Sequence, residues 1–187
     1  KKGETKSLVP FAASSIPLVT LGTFFLWFGW FGFNGFSQLA MGTFDDVTAI
    51  TKIAVNTHLA GAAGVVTGAV VTRLLDSKTD VVMMLNGALA GLVAITAEPL
   101  TPTPGLALAI GSCGSLIMYF GTKFLERMGL DDVVGAIPVH MFAGIFGTLI
   151  VPLTNSDTSF GSQFTGVIAV CSFSFILSFI IFKILKA

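Results

Sequence analysis

The sequence is that of an all-α integral membrane protein with six transmembrane helices. Three observations carry that expectation. Only 11% of the 187 residues are charged and 53% are hydrophobic, with a mean hydropathy of +0.89, whereas soluble domains carry about a quarter charged residues. The apolar residues gather into six blocks near the length of about 20 residues that a helix needs to cross a bilayer. Short polar or proline-rich stretches separate the blocks.

The first span is read at about 14–39. It is crowded with aromatics, carries glycines at 29, 32 and 35, and lies in a charge-free stretch from Leu18 to Asp45. The second, about 48–75, is bounded by Asp45-Asp46 before it and by Arg73 to Asp80 after it. The third, about 81–97, ends where Glu98-Pro99-Leu100-Thr101-Pro102-Thr103-Pro104 begins, because prolines at that density cannot continue a helix. The fourth, about 105–125, stops at Lys123-Phe124-Leu125-Glu126-Arg127. The fifth, about 134–152, opens behind Asp131-Asp132 and holds Pro138 and His140 near its start; the two acids suit the free N–H groups and dipole of a helix N-terminus. A polar turn, Asn155 to Ser159, precedes the sixth span, about 161–184, which closes on Lys183 and Lys186. All six belong to one domain, 1–187.

An even number of spans puts both ends on one side. Lys1, Lys2, Lys6, Arg73, Lys78, Lys123, Arg127, Lys183 and Lys186 fall on that side, and Lys52 alone falls opposite. By the positive-inside bias both ends are cytoplasmic, in a multi-pass protein of the plasma or inner membrane. The opening Lys1-Lys2-Gly3-Glu4-Thr5-Lys6 has neither an initiator Met nor a signal-peptide pattern and reads as a loop of a longer chain.

Small residues recur within spans at Gly61, Gly64, Gly68, Gly87, Gly91, Gly111, Gly114, Gly144 and Gly147, the means by which helices pack closely in lipid. The sixth span lacks this pattern, is instead rich in Phe, Ile and Leu, and is expected to face lipid on much of its surface. Cys113 and Cys171 stand apart without metal-ligand neighbours and are expected to be reduced packing residues. A net charge of zero gives no electrostatic case for nucleic acid. No nucleophile–base–orienter set, phosphate loop or metal cluster is legible, so neither an enzyme nor a cofactor is expected.

Polar side chains inside spans are costly and mark a pathway or an interhelical contact. His140 is the sharpest candidate, since a neutral imidazole accepts on one nitrogen and donates from the other; its alternative is a histidine satisfied by a backbone carbonyl. His58 sits in Asn56-Thr57-His58, where Asn56 and Thr57 are placed to hydrogen-bond it, so glue and pathway stay equally open. Asn34 and Ser37 close the first span one turn apart. Phe33, Phe36, Trp27 and Trp30 offer ring faces that attract cations, yet aromatics in a span more often pack or face lipid. Glu98, at an outer loop edge, is expected to be solvated.

Trp27-Phe28-Gly29-Trp30-Phe31-Gly32-Phe33-Asn34 followed by Asn56-Thr57 resembles the sixth and seventh membrane helices of the ammonium transporter family. Asn86 to Thr96 resembles its eighth, and Asp131 to His140 the entry to its tenth, so the likeness covers nearly the whole chain. It implies the second inverted repeat and final helix of an eleven-helix fold, assembled as a homotrimer with one pore per subunit. By the same resemblance, Phe33 is one phenylalanine of a stacked gate, Ser37 the serine of the outer recruitment site, and His140 the second histidine of a central pair. Ser37 lies about 6 Å beyond Phe33 along a helix, so an entering ion meets the hydroxyl first. The implied cargo is ammonium, ammonia or methylammonium. The other half of the pore belongs to a first repeat, from the same or a companion chain. A PII-type regulator is a further implied partner, although the tail that such proteins act on is not within 1–187.

Departures from the family pattern are Phe36, where a small residue is usual, and the bulk of Met141-Phe142 after His140. No pore role carries over to His58, and Trp27 and Trp30 stay with packing. The rival readings are an ammonium sensor or receptor, a non-conducting structural subunit whose His140 is buried in protein, and an unrelated channel with inverted repeats.

Overall fold

The computed structural model describes residues 13–186 and is helical throughout its ordered elements. The basic residues Lys1, Lys2 and Lys6 used in the orientation argument lie outside that range.

Helix α1 (Ile16–Phe36) starts where the Ser15 hydroxyl accepts the Leu18 N–H at 3.4 Å. It ends three residues before the expected boundary at 39. Ser37, Gln38 and Leu39 each donate to a carbonyl only three residues back, and Leu39 turns left-handed at φ 60°. Helix α2 (Phe44–Leu75) begins four residues before the expected 48 because Thr43 and Asp46 form a capping box, with Asp46 N–H on the Thr43 hydroxyl (3.1 Å) and Thr43 N–H on the Asp46 carboxylate (3.0 Å). Asp45 and Asp46 therefore belong to its first turn, where the helix dipole favours acids.

Helix α3 (Val81–Thr96) is capped by Asp80, and α4 (Pro104–Arg127) by Thr103, with proline in its first turn where a missing N–H costs nothing. The fifth span is not the single regular helix expected over 134–152. It is a π-helical turn (Ile137–Phe142), then α5 (Ala143–Ile150), then a 3-10 turn (Val151–Leu153). Pro138 cannot donate within the turn, and the Ala143 N–H is shared between the carbonyls of His140 and Pro138, the latter five residues back. Helix α6 (Phe160–Lys186) completes the six. Helices α1, α2, α4 and α6 are long and apolar enough to cross a membrane, while α3 and Ile137–Leu153 are shorter apolar helices.

Helices α2, α3 and α4 form the centre. Helix α1 lies on α2 and α3, the π turn and α5 lie on α3 and α4, and α6 touches only α5 and the 3-10 turn. At the centre the contacts are between backbones. A Cβ placed on Gly87 would stand 2.6 Å from the Gly64 carbonyl oxygen, and one on Gly68 would stand 3.0 Å from that of Met83. Gly91 and Gly111 both abut the Ala60 backbone, and Gly147 abuts that of Ala94. Ser115 of α4, fully buried, donates to the Gly64 carbonyl at 2.9 Å, so all three central helices meet at one point. Near the ends of α2 and α4, the Tyr119 hydroxyl donates to Asp76 at 3.0 Å with Lys123 3.7 Å from the same carboxylate.

No residue of α6 is buried. Cys113, expected in the packing, is exposed, and Cys171 is half-buried. Position 113 falls on the outward side of α4, between Gly111 and Gly114, which face the core.

Gly64→Ala should destabilise the full-length protein by about 1–3 kcal/mol, the usual cost of overpacking, whereas Gly166→Ala on α6, with nothing within 4 Å, should leave it unchanged. Thermal unfolding in detergent measures both.

Candidate functional site

The C-terminal end of α1 is held by one polar bond to each neighbouring helix. The Trp30 indole N–H donates to the Thr96 hydroxyl of α3 at 2.7 Å, and Thr96 donates to its own Leu92 carbonyl at 2.6 Å. Asn34, 1% exposed, donates its amide to the Thr57 hydroxyl of α2 at 2.9 Å. Trp30, placed with packing by its sequence, thus has a polar function as well. The sequence signal for it is a threonine near the end of a neighbouring apolar span.

These two bonds fix the rotation of α1 and leave Phe33 65% exposed, with its ring edge-on to Trp30 at 6.1 Å between centroids. Ser37 sits at the helix C-cap, exposed, its hydroxyl donating to the Phe33 carbonyl at 3.0 Å. A hydroxyl oxygen that donates in this way keeps lone pairs to accept from a cationic N–H. Phe36 is exposed and rests an edge 3.4 Å from where a Gly32 Cβ would lie.

His140 lies in the π-helical turn with its residue exposed, between buried Pro138 and Val139 on one side and exposed Met141 on the other. Such turns interrupt helices most often at functional positions. The turn is anchored from below by Asp132, whose carboxylate accepts the N–H of Ala136 at 2.9 Å and of Ile137 at 2.8 Å. That is the capping expected of the acidic pair, performed by its second member. Gly135 takes φ +73° beneath the Asn86 amide, which donates to the Val134 carbonyl at 3.2 Å. The bulk of Phe142 is absorbed because Gly121 of α4 leaves room for its ring.

Asn56 is fully buried and donates to the carbonyls of Pro99 (2.9 Å) and Pro102 (2.8 Å), tying α2 to the proline loop, while its own amide oxygen is unpaired. Asn56 and Thr57 therefore serve other groups, and neither bonds His58. The His58 ring is exposed instead and meets Trp27 at 5.6 Å and Phe31 at 6.2 Å. Glu98 is not merely solvated. It is half-buried and accepts the N–H groups of Leu100 and Thr101 and the Asn155 amide, at 3.2, 3.2 and 2.9 Å. Among the described residues no group of three or more His, Cys, Asp or Glu side chains is arranged to hold a metal ion.

Phe33 and His140 thus stand exposed on the two helical segments that flank α3. A bundle of apolar helices seamed by glycine, four of them long and apolar enough to cross a membrane, defines a polytopic α-helical membrane protein. The chain belongs to the ammonium transporter family: the model described as Ammonium Transporter Family matches residues 1–187. It is 46% identical over 147 residues to the ammonium transporter Amt2 of Archaeoglobus fulgidus, covering 79% of this chain and 30% of that protein. Among solved structures it is similar to a protein titled Sensor Amt Protein, with TM-score 0.85 and 36% identity over 92% of this chain and 44% of the other. It is also similar to Mep2 of Candida albicans, with TM-score 0.83 and 28% identity over 93% and 42%. The chain spans about a third of the length of the curated relatives it matches.

Asn56→Ala should cost about 1–3 kcal/mol by leaving two loop carbonyls unpaired, seen as a lower unfolding temperature. In a double-mutant cycle, Asn34→Ala and Thr57→Val should couple by about 0.5–1.5 kcal/mol; additivity would mean that their bond contributes nothing.

Proposed function

We propose that the full-length protein moves ammonium across a cell membrane and that this chain supplies one wall of its pore. In this reading Ser37 and the nearby aromatic faces recruit the cation at the outer end, Phe33 gates it, and His140 lines the lumen opposite a second histidine from a first repeat. Asn34 and Asn56 serve the scaffold rather than the path. The observation that carries the reading is the pair Phe33 and His140, both exposed, on two helical segments that each pack against α3 in a chain of this family.

The chemistry follows from solvation. Carrying an ion's whole charge into a narrow apolar lumen costs far more than carrying a neutral amine. An outer site that holds ammonium by a hydroxyl and ring faces, followed by deprotonation, lets ammonia cross while the proton travels separately, with histidines as its natural carriers. The outer site must precede the gate, which is the order in which Ser37 and Phe33 occur on the way in. Both ends of the chain are taken as cytoplasmic, the assembly as a homotrimer in the plasma or inner membrane, and PII-type regulation as acting on parts of the protein outside 1–187.

The likeness to a protein titled as a sensor favours one alternative, in which ammonium binds the same outer site without flux.

Uptake of labelled methylammonium by vesicles holding the full-length protein separates the two. Conduction is expected, with His140→Ala and Phe33→Ala each lowering it by about tenfold or more, a loss of about 1.4 kcal/mol in barrier terms. Binding without uptake in the unmodified protein would establish the sensor instead.

A further inference from the structure

Among the described residues the His140 imidazole has no hydrogen-bond partner, so the direction it takes comes from the backbone that carries it. That backbone is anchored in two different ways. From Pro138 onward the anchors are apolar: Val139, 2% exposed, and Ala143, fully buried, pack with Ala90 of α3 and Met118 of α4. This packing seats the turn on its neighbours but leaves its entry to the segment before it. Between Asp131 and Ile137, Gly135 alone is buried, so that segment has little apolar seat of its own.

Its anchors are polar instead. One carboxylate oxygen of Asp132 accepts the Ala136 N–H at 2.9 Å and the other accepts that of Ile137 at 2.8 Å. These are the last two backbone donors before Pro138, which has none. Gly135 takes a left-handed φ of 73°, and this reversal turns both N–H groups back toward Asp132. Each bond fixes one peptide plane, and the two planes lead directly into the turn that carries His140. A carboxylate spans both because it has an acceptor for each.

We propose that Asp132 is a positioning residue for transport. By clamping the Ala136 and Ile137 peptides with its two oxygens, it sets how the π-helical turn is entered and hence where the His140 ring points. The proposal rests on the pore reading, in which that ring lines the lumen. The competing account is electrostatic, with negative charge at one mouth of the pore collecting the cation. Asp131, adjacent and exposed, would then serve as well, although it makes no bond to the turn.

Methylammonium uptake by vesicles holding the full-length protein tests this with variants that part charge from geometry. Asp132→Asn removes the charge but keeps a capping oxygen, and uptake should stay within about threefold of the unmodified protein, since asparagine caps about as well as aspartate. Asp132→Glu keeps the charge but displaces the oxygens by one methylene. Its kcat should fall about tenfold at unchanged KM, because the geometry at His140 is lost while the outer site on α1 is untouched. Asp131→Asn should change nothing. The reverse order, with the Glu variant active and the Asn variants impaired, overturns the proposal in favour of charge. In a His140→Ala background, Asp132→Glu should cause no further loss, since Asp132 acts only through that ring; independent, multiplying losses overturn it. Hydrogen exchange over residues 133–142 gives a readout free of transport. It should be faster in Asp132→Glu than in Asp132→Asn, and equal exchange in the two overturns the proposal. No uptake by the unmodified protein would sink the pore reading and this one with it, whereas normal uptake in both Asp132 variants would sink this one alone.

Discussion

Close backbone contact among α2, α3 and α4 is the constraint on which the rest of the structure depends. In lipid the hydrophobic effect does not draw helices together, so dispersion over a close-fitting surface has to. Gly64 against Gly87, and Gly91 and Gly111 against Ala60, bring main chains near enough for that. Ser115 then adds a hydrogen bond that exists only because the Gly64 carbonyl is left uncovered by side chains. With this centre fixed, the outer segments have defined seats: α1 on α2 and α3, the π turn and α5 on α3 and α4.

The second layer of order is polar and sits at the helix ends. Trp30 and Asn34 set the rotation of α1, Asn56 and Glu98 hold the proline loop, and Asp132 holds the base of the π turn. Each is a side chain that bonds groups of the scaffold, although the buried Asn56 amide oxygen has no partner. Phe33, Ser37 and His140 make no hydrogen bond to another element and stay exposed.

Much of this was legible in the residues. Six apolar blocks gave the six helical regions, since span length and hydropathy are set by the bilayer and not by tertiary detail. The glycine faces were legible for the same reason, and so was the lack of buried residues in α6. The start of α2 was misplaced because Asp45 and Asp46 read as a boundary, although a Thr43–Asp46 capping box draws acids into the first turn. The irregular fifth helix was missed because a π turn is set by where N–H groups find carbonyls, which hydropathy does not record. At the site, the motif strings singled out Phe33, Ser37 and His140, whereas the bonds of Trp30, Asn56 and Glu98 span 43 to 66 residues and depend on contacts that no local pattern encodes.

The π turn makes the direction of the His140 ring a matter of counting. Its wider ladder takes up one more residue per turn than an α-helix would, so the ring's heading is set by the number of residues between Gly135 and Ala143 more than by any side chain touching it. Removing one residue there would restore an ordinary helix and swing the imidazole by about 100°. Substitutions in this stretch alter packing by degrees, but a change of length redirects the histidine outright. The segment is therefore intolerant of insertion or deletion, the reverse of what is usual for a surface loop.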